Sequence, residues 1–218
     1  MKYRELLDLI EEGENIQCEF KREFSTPEKI ARGLMAFANT KGGFMLFGVD
    51  DDKKIVGVES EKETAELVVN TAKNLCEPAI NVIIDYREVN GKEVVIVNIP
   101  ESDNKPHRLQ DYKSEFDINT AIVTIRVNDK SVLASKEMIR ILRAQTNQTA
   151  LKKYVLGPIE KNVFEYINKT EKISVKELSN LVNISERRAS RTLVKMVRAN
   201  LLMIHTKDNG DEFFTAAV

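Results

Sequence analysis

The sequence predicts an α+β fold in two parts, a mixed sheet-and-helix domain followed by a small winged helix-turn-helix domain. Three observations predict it. An apolar run of strand length, Phe44–Val49, follows a helical pattern and two glycines. Asn90-Gly91 separates two strand-like segments, which is the strongest short-range hairpin signal in the chain. Beyond Pro158, three helical patterns precede two short β segments, 201–206 and 212–216, which is the element order of a winged helix.

The first elements of the chain are predicted from local signals. Residues 3–12 have apolar side chains at helical spacing and stop at Gly13, which is typical of a short amphipathic helix with a glycine terminator. Residues 16–21 alternate apolar and polar, which predicts a strand with one buried face. Thr26 has the position of an N-cap before Pro27, so a second helix is expected to begin there.

The middle of the chain predicts a strand pair, a helix and further strands. We expect residues 55–58 to return as a hairpin partner of the strand at 44–49. Ser60 with Glu63 predicts a capping box for the next helix. Residues 121–127 read as another strand.

The boundary between the domains is predicted from a loss of apolar periodicity. Ser135 is expected to cap the last helix of the first domain. The chain then becomes polar, so we predict domains at 1–145 and 158–218 with a linker at 146–157.

Composition excludes several classes of protein. Of the 218 residues, 42% are hydrophobic and 31% are charged, which is typical of a globular protein rather than a disordered one. Because no run approaches the roughly 20 apolar residues of a membrane span, and charges interrupt the N-terminus, we expect a cytoplasmic protein with no membrane partner. Cys18 and Cys76 have apolar neighbours and are predicted to be reduced core residues.

The charges are distributed unevenly. Residues 151–218 contain 12 Lys and Arg against 8 Asp and Glu, whereas residues 1–150 contain 21 against 26. A basic C-terminal part beside an acidic N-terminal part is expected to make most of any contact with a phosphate backbone.

A basic helix near the C-terminus is the predicted nucleic-acid reader. In a helix-turn-helix the second helix enters the major groove, so its outward face must carry donors for phosphates and base edges. The segment from Ser185 to Asn200 has this pattern, with its apolar residues on the opposite face. The predicted nucleic-acid-binding residues are Ser185, Arg187, Arg188, Arg191, Lys195, Arg198 and, on the wing, Lys207. The alternative is a solvated basic face on a domain that only packs or dimerises.

Motifs of the first domain resemble those of a known family. They are residues 36–52, Glu19-Phe20-Lys21, Ile55-Val56-Gly57-Val58, Lys105-Pro106-His107, Arg126-Val127 and Ala134-Ser135. Together they resemble the Schlafen AlbA-like domain over roughly residues 1 to 145. The resemblance implies a compact α+β nucleic-acid-associated module, joined in many microbial proteins to a winged helix. In animal relatives it implies an endonuclease of structured RNA.

The same resemblance implies a set of acidic catalytic residues. The animal nucleases use two glutamates and an aspartate, which match Glu14, Glu19 and either Asp50 or Asp51. Beside this set, we expect Lys21 to be able to contact the same phosphate. Three such carboxylates would hold Mg²⁺ or Mn²⁺, and Glu14, Glu19 and Asp50 are the candidate ligands.

Two features of the residues leave other interpretations open. Asp50 to Asp52 also fit a polar hairpin loop that ends in Lys53-Lys54, and Glu19 with Lys21 also fits a surface ion pair. Asn15 stands where the family usually has a serine after its first glutamate. The animal enzymes carry two modules side by side, so an equivalent groove here would require a homodimer.

The sequence thus predicts a nucleic-acid-binding protein resembling a transcriptional regulator, a homodimer that binds DNA in preference to RNA. The alternative is a Mg²⁺- or Mn²⁺-dependent endoribonuclease, and a third class is an adaptor whose winged helix binds another protein. ATP hydrolysis is not predicted, because Thr40-Lys41-Gly42-Gly43 lacks the spacing of a phosphate-binding loop. No other cofactor is predicted.

Overall fold

The computed structural model describes residues 1–113, 115–146 and 154–217 and divides into two compact units, residues 1–133 and 134–218. The first unit contains, in order, α1 (Tyr3–Glu12), β1 (Cys18–Lys21), α2 (Pro27–Asn39), β2 (Gly43–Phe47), α3 (Glu61–Asn74), β3 (Cys76–Glu77), β4 (Ile83–Val89), β5 (Lys92–Ile99), β6 (Arg108–Leu109), β7 (Thr124–Val127) and β8 (Lys130–Leu133). The second contains α4 (Lys136–Thr146), α5 (Pro158–Thr170), α6 (Val175–Leu181), α7 (Glu186–Arg198), β9 (Leu202–Thr206) and β10 (Glu212–Ala216). The fold is α+β, as predicted.

A mixed four-stranded sheet in the order β1-β2-β5-β4 organises the first unit. β1 and β2 are parallel and connected by α2, whereas β5 pairs antiparallel with both β2 and β4. One face of the sheet packs against α2 and α3, and the other packs against α1. Burial on both faces explains why β2 and β5 read as continuous apolar runs in the sequence.

The predicted caps begin the helices of the first unit. The Thr26 hydroxyl accepts a hydrogen bond from the backbone N–H of Lys29 at 3.4 Å, and Pro27 is the first residue of α2. The Ser60 hydroxyl accepts from the N–H of Glu63 at 3.2 Å and begins α3. These bonds satisfy backbone donors that have no partner within the helix.

The glycine turn between α2 and β2 depends on two close approaches. Gly42 has φ +68°, and a Cβ atom there would lie 2.6 Å from the carbonyl oxygen of Ile99. A Cβ atom at Gly43 would lie 2.5 Å from the carbonyl oxygen of Gln17. Only glycine fits this turn without moving the backbone of its neighbours.

The predicted hairpin strand at 55–58 does not form. Val49 and Ile55 make a single bridge, and the N–H groups of Val56 and Gly57 both donate to the carbonyl oxygen of Gly48. The N–H of Val58 donates instead to Glu93 in β5. This segment therefore closes a loop rather than adding a strand, because β5 already pairs with β2 along its length. The strand predicted at 121–127 corresponds to β7, which is shorter and spans only Thr124–Val127.

The second unit consists of helices α4 to α7 and an antiparallel hairpin of β9 and β10. α6 and α7 pack against each other, and α4 and β9 also contact α7. Its core contains apolar residues of α5, α6, α7, β9 and β10. The order of three helices and a hairpin after Pro158 is the predicted one.

The division between the units falls earlier than the predicted boundary at 146–157. α4, placed in the first domain by the sequence, groups with the second unit because it packs against α7. Residues 147–153 of the predicted linker lie outside the described residues. Within the described ranges, no helix is long and apolar enough to cross a membrane.

Candidate nucleic-acid interface

Helix α7 separates its apolar and basic side chains on opposite faces. The Ser185 hydroxyl caps the helix by accepting a hydrogen bond from the N–H of Arg188 at 3.3 Å. Ala189, Leu193 and Met196 are fully buried and pack in the core of the second unit. The helical period of 3.6 residues therefore turns the intervening positions outward.

Four cations occupy the outward face of α7. Arg187, Arg188, Arg191 and Lys195 are all exposed. Among the residues that the structure describes, none of these side chains forms an ion pair or a side-chain hydrogen bond. We call these four residues the α7 basic face. It presents five-donor guanidinium groups and an ammonium group to solvent, which is the chemistry that binds phosphate oxygens.

The remaining predicted binding residues lie beside this face. Arg198 lies in the last turn of α7, the helix that also contacts β9, and it is half-buried rather than exposed. Lys207 is exposed in the turn between β9 and β10, which closes with a hydrogen bond from its N–H to the carbonyl oxygen of Asp211 at 2.8 Å. Its neighbours Asp208 and Asp211 add negative charge to the same turn.

Local hydrogen bonds define the start of α6 and the turn between α6 and α7. Ser174 and Glu177 form a reciprocal capping box at the start of α6. After α6, Asn183 adopts φ +50°, and the Ser179 hydroxyl donates to the carbonyl oxygen of Ile184. The bond from Ser179 stabilises the short turn that precedes Ser185, the N-cap of α7.

A polar network behind α7 was not predicted from the sequence. The Ser190 hydroxyl, buried on the inward side of α7, donates to the carboxylate of Glu137 in α4. Arg140 Nη1 donates to both Ser190 Oγ at 3.0 Å and Glu137 Oε1 at 3.1 Å. A serine on an otherwise apolar helix face was the only signal in the sequence, and it names no partner.

A second, half-buried carboxylate lies in the same unit. Glu212 in β10 accepts a hydrogen bond from Ser135 Oγ at 2.7 Å and a longer one from Thr206 Oγ1. Burial raises the pKa of Glu212 to about 7, and the negative charge of Glu137 adds to the rise. Ser135 thus has two roles, because it also caps α4 through the N–H of Met138.

The carboxylates predicted as a catalytic triad are engaged separately in the first unit. Glu14 Oε1 accepts from the backbone N–H of Phe20 at 2.7 Å. Asp50 Oδ1 accepts from the N–H of Lys54 at 2.8 Å, within a polar turn that includes the exposed Asp51. This arrangement agrees with the interpretation of Asp50 to Asp52 as part of a polar loop.

Glu19 is held between two cations. Its carboxylate lies 2.6 Å from Lys21 Nζ and 2.6 Å from Arg126 Nη1. Among the described residues, no group of three His, Cys, Asp or Glu side chains is arranged to hold a metal ion. Glu14, Glu19 and Asp50 are thus not grouped as a three-carboxylate site in the described residues: one oxygen of Glu14 and one of Asp50 accept from backbone N–H groups, and both oxygens of Glu19 face cations. Lys21, which is 28% exposed, is paired with Glu19.

The role of Arg126 in this region was not predicted from the sequence. Its side chain is only 1% exposed and lies over the ring of Phe37, 4.5 Å from the centroid. Nη2 donates to the carbonyl oxygens of Asn15 at 2.7 Å and Cys18 at 3.4 Å. Burial raises the pKa of the neighbouring Cys18 thiol to about 12, with Glu14 adding to the rise, so this cysteine is an inert core residue.

Asn39 and His107 form a second buried connection in the first unit. Asn39 Nδ2 donates to the carbonyl oxygens of His107 at 2.9 Å and Thr124 at 3.0 Å, and its Oδ1 accepts from the N–H of His107. Burial lowers the pKa of His107, whose Nδ1 lies 2.7 Å from the carbonyl oxygen of Pro78. These contacts favour a structural role for both residues.

Comparison with known proteins identifies the first unit. The family model described as Schlafen, AlbA_2 matches residues 14–135. The chain belongs to the Schlafen AlbA_2 family. The match covers the sequence from Glu14 to Ser135 and includes the Glu19–Arg126 pair, whereas the α7 basic face lies outside it.

One curated relative of this Schlafen AlbA_2 protein is similar over most of this chain. It is 27% identical over 195 residues to a protein of Ureaplasma parvum serovar 3 named "Uncharacterized ATP-binding protein UU034", covering 84% of this chain and 46% of that protein. The chain thus spans about half the length of this curated relative.

Two solved structures have similar regions. The N-terminal domain of a RecG-related protein from Nitrosomonas europaea is 24% identical over 52% of this chain and 83% of its own, with a TM-score of 0.43. The DIP2311 protein from Corynebacterium diphtheriae is 15% identical over 93% of this chain and 34% of its own, with a TM-score of 0.47.

Proposed function

We propose that this protein binds nucleic acid through its second unit, which acts as a winged helix-turn-helix, and that it resembles a transcriptional regulator. One observation carries the proposal. The four cations of the α7 basic face are exposed and have no ionic partner among the described residues, while the opposite side of the same helix is fully buried. Four adjacent like charges on a solvent-exposed surface repel one another, so they add little to stability. A phosphate backbone would neutralise them.

The arrangement of α7 favours duplex DNA over RNA. The major groove of B-DNA admits an α-helix, whereas the major groove of A-form RNA is too deep and narrow for side chains to read. The N-cap at Ser185 lies at the end of α7 that carries Arg187 and Arg188. In a helix-turn-helix, this end of the second helix contacts base edges, and the later cations contact phosphates.

The hairpin of β9 and β10 has the place of the wing in this proposal. Lys207 lies in its exposed turn and would contact the backbone beside the groove. Its acidic neighbours Asp208 and Asp211 weaken this contact, so α7 contributes the larger share of binding.

The test is the affinity of the full chain for a fluorescein-labelled duplex of mixed sequence, measured by fluorescence anisotropy over a series of salt concentrations. The double variant Arg187→Gln with Arg191→Gln should lose about 2 kcal/mol of binding free energy, or about 30-fold in affinity. The slope of log affinity against log salt should fall in magnitude by about two, because each arginine neutralises one phosphate.

A matched control separates local contacts from overall charge. Lys161 and Lys169 are exposed on α5, outside the α6–α7 helix pair. The variant Lys161→Gln with Lys169→Gln removes the same net charge and should keep most of the affinity and the salt slope. Equal losses in the two variants, or no loss in the arginine variant, would reject α7 as the DNA-reading helix.

We also propose that the protein acts as a homodimer, because a single helix-turn-helix reads a short half-site and two-fold operators match two-fold proteins.

The endoribonuclease alternative has less support from the geometry. The carboxylate of Glu19, which it requires as a metal ligand, is neutralised by Lys21 and Arg126.

A further inference from the structure

Strand β4 forms an open edge of the main sheet in the first unit. It is seven residues long and pairs with β5 along its whole length. Within the described part of residues 1–133, no strand pairs with its other side. Ile83 is 58% exposed and Tyr86 is 40% exposed. Of the residues that commonly block an edge, the strand contains charged side chains but neither proline nor lysine.

The hairpin geometry decides which backbone groups of β4 point outward. Val89 and Lys92 flank the two-residue turn Asn90-Gly91 and therefore form a hydrogen-bonded pair. Bonding alternates along an antiparallel ladder, so residues 83, 85, 87 and 89 bond to β5. The N–H and C=O groups of Ile84, Tyr86 and Glu88 consequently face away from the sheet.

Two charged side chains occupy the backbone groups at the centre of this edge. Asp85 Oδ1 accepts from the N–H of Tyr86 at 3.0 Å, and Arg87 Nη1 donates to the carbonyl oxygen of Tyr86 at 2.6 Å. The two side chains also pair with each other at 2.8 Å. The amino group of Met1 lies 2.6 Å from Asp85 Oδ2, and its hydrogen bond lowers the pKa of Asp85. Arg87 also donates to the carbonyl oxygen of Met1, and both charged side chains are about one-third exposed, so each ion pair is worth little and can be replaced by another partner.

The sequence of β4 is self-complementary in one antiparallel register. Hydrogen-bonded pairing of two copies must join outward-facing residues, so 84, 86 and 88 pair among themselves. If Tyr86 lies opposite Tyr86 of a second copy, Asp85 lies opposite the second copy's Arg87, and the reverse pair forms by symmetry. Shifting the register either way places Asp85 opposite Asp85 or Arg87 opposite Arg87, and like charges directly opposite are destabilising.

We infer that the β4 edge is a pairing surface for a second copy of this chain, with Tyr86 on the two-fold axis and two reciprocal Asp85–Arg87 ion pairs. In the monomer the same charges cap Tyr86, and in the dimer its N–H and C=O bond to the second copy. Directly opposite residues without mutual backbone bonds have the closest side chains in a sheet, which suits the ion pairs. The inference concerns the first unit and does not depend on DNA binding.

The test is a charge exchange followed by sedimentation velocity of the full chain without DNA. The wild-type protein should show a monomer–dimer equilibrium over a dilution series. Asp85→Arg and Arg87→Asp each create two like-charge pairs in the homodimer and should raise its dissociation constant about 30-fold or more. Mixing the two variants restores opposite charges at both positions and should restore the dimer.

Each outcome decides the inference. A wild-type protein that sediments as a monomer throughout, single variants that dimerise like the wild type, or a mixture that stays monomeric would overturn it. If circular dichroism shows that a charge variant is unfolded, Tyr86→Pro decides instead. This change removes an outward N–H without breaking the bonds to β5, so it should give a folded monomer, and a dimer would overturn the inference. DNA affinity of the monomeric variants, measured separately, reports on the α7 basic face alone.

Discussion

The pairing of Glu19 with Arg126 predicts a large stability change for a residue that sequence resemblance assigns to catalysis. The Arg126 guanidinium is 1% exposed and the Glu19 side chain is 13% exposed, and they meet at 2.6 Å. Replacing Glu19 by Gln leaves a buried cation without its counter-charge. Loss of one partner of a buried ion pair costs about 3–5 kcal/mol, and the remaining bonds from Arg126 to two carbonyl oxygens place the cost near the lower value, about 3 kcal/mol.

Thermal unfolding of the full chain followed by circular dichroism measures this cost. Unfolding entropy is about 2.1 cal/mol/K per residue, so for a unit of residues 1–133 a loss of about 3 kcal/mol lowers Tm by about 10 °C. Hydrogen exchange detected by mass spectrometry assigns the loss to the first unit if β1 and β7 lose protection.

Two further variants make the test specific. Lys21→Gln removes the other cation from the same carboxylate, and because that lysine is 28% exposed it should cost under about 1 kcal/mol. Glu19→Gln combined with Arg126→Met removes both buried charges and should be less destabilised than Glu19→Gln alone. A Tm of Glu19→Gln within a few degrees of wild type would refute the structural role of this pair.

Two other predictions concern pH and catalysis. Folding raises the pKa of Glu212 from 4.5 to about 7. Between these two pH values the folded protein keeps a proton on Glu212 that the unfolded chain has released. The stability of the second unit should therefore fall as pH rises from about 4.5 to about 7. The fall is at most about 3 kcal/mol, and Glu212→Gln, with Ser135, Thr206 and Glu137 still facing it, should remove most of it in urea titrations at a series of pH values. With Mn²⁺ and structured RNA, the parent protein and a Glu14→Ala, Glu19→Ala variant should give the same uncleaved pattern on a denaturing gel, and cleavage by the parent alone would instead establish the endoribonuclease.

Elements whose signals are local could be predicted from the sequence. Thr26 with Pro27 begins α2, and Asn90-Gly91 forms the β4–β5 hairpin, because caps and two-residue turns depend on residues within one turn of chain. The same holds for the order of helices and strands after Pro158. The arginines of α7 were predicted to face outward from apolar periodicity alone, and Arg187, Arg188 and Arg191 do so.

Features that depend on distant partners could not be predicted. Arg126 bonds to Glu19 across 107 positions of sequence, and nothing near Arg126 indicates that its guanidinium is buried. Residues 55–58 have strand composition but no strand, because a strand requires an unoccupied neighbour and β2 already has two. A carboxylate pattern likewise does not show which of its oxygens accept from other protein groups, such as the N–H of Phe20 at Glu14 and the N–H of Lys54 at Asp50.

The grouping of α4 with the second unit bears directly on how α7 is presented. Ser190 lies on the inward side of α7 and is bonded to Glu137 and Arg140 of α4, whereas the α7 basic face is on the outward side. A helix packed only by apolar contacts can rotate slightly about its axis, but a buried hydroxyl with a fixed charged partner restricts that rotation. The direction of the four cations is therefore set partly by α4. The negative charge of Glu137 also raises the pKa of Glu212, so the α4 carboxylate that accepts from Ser190 acts on the titrating carboxyl of β10 as well.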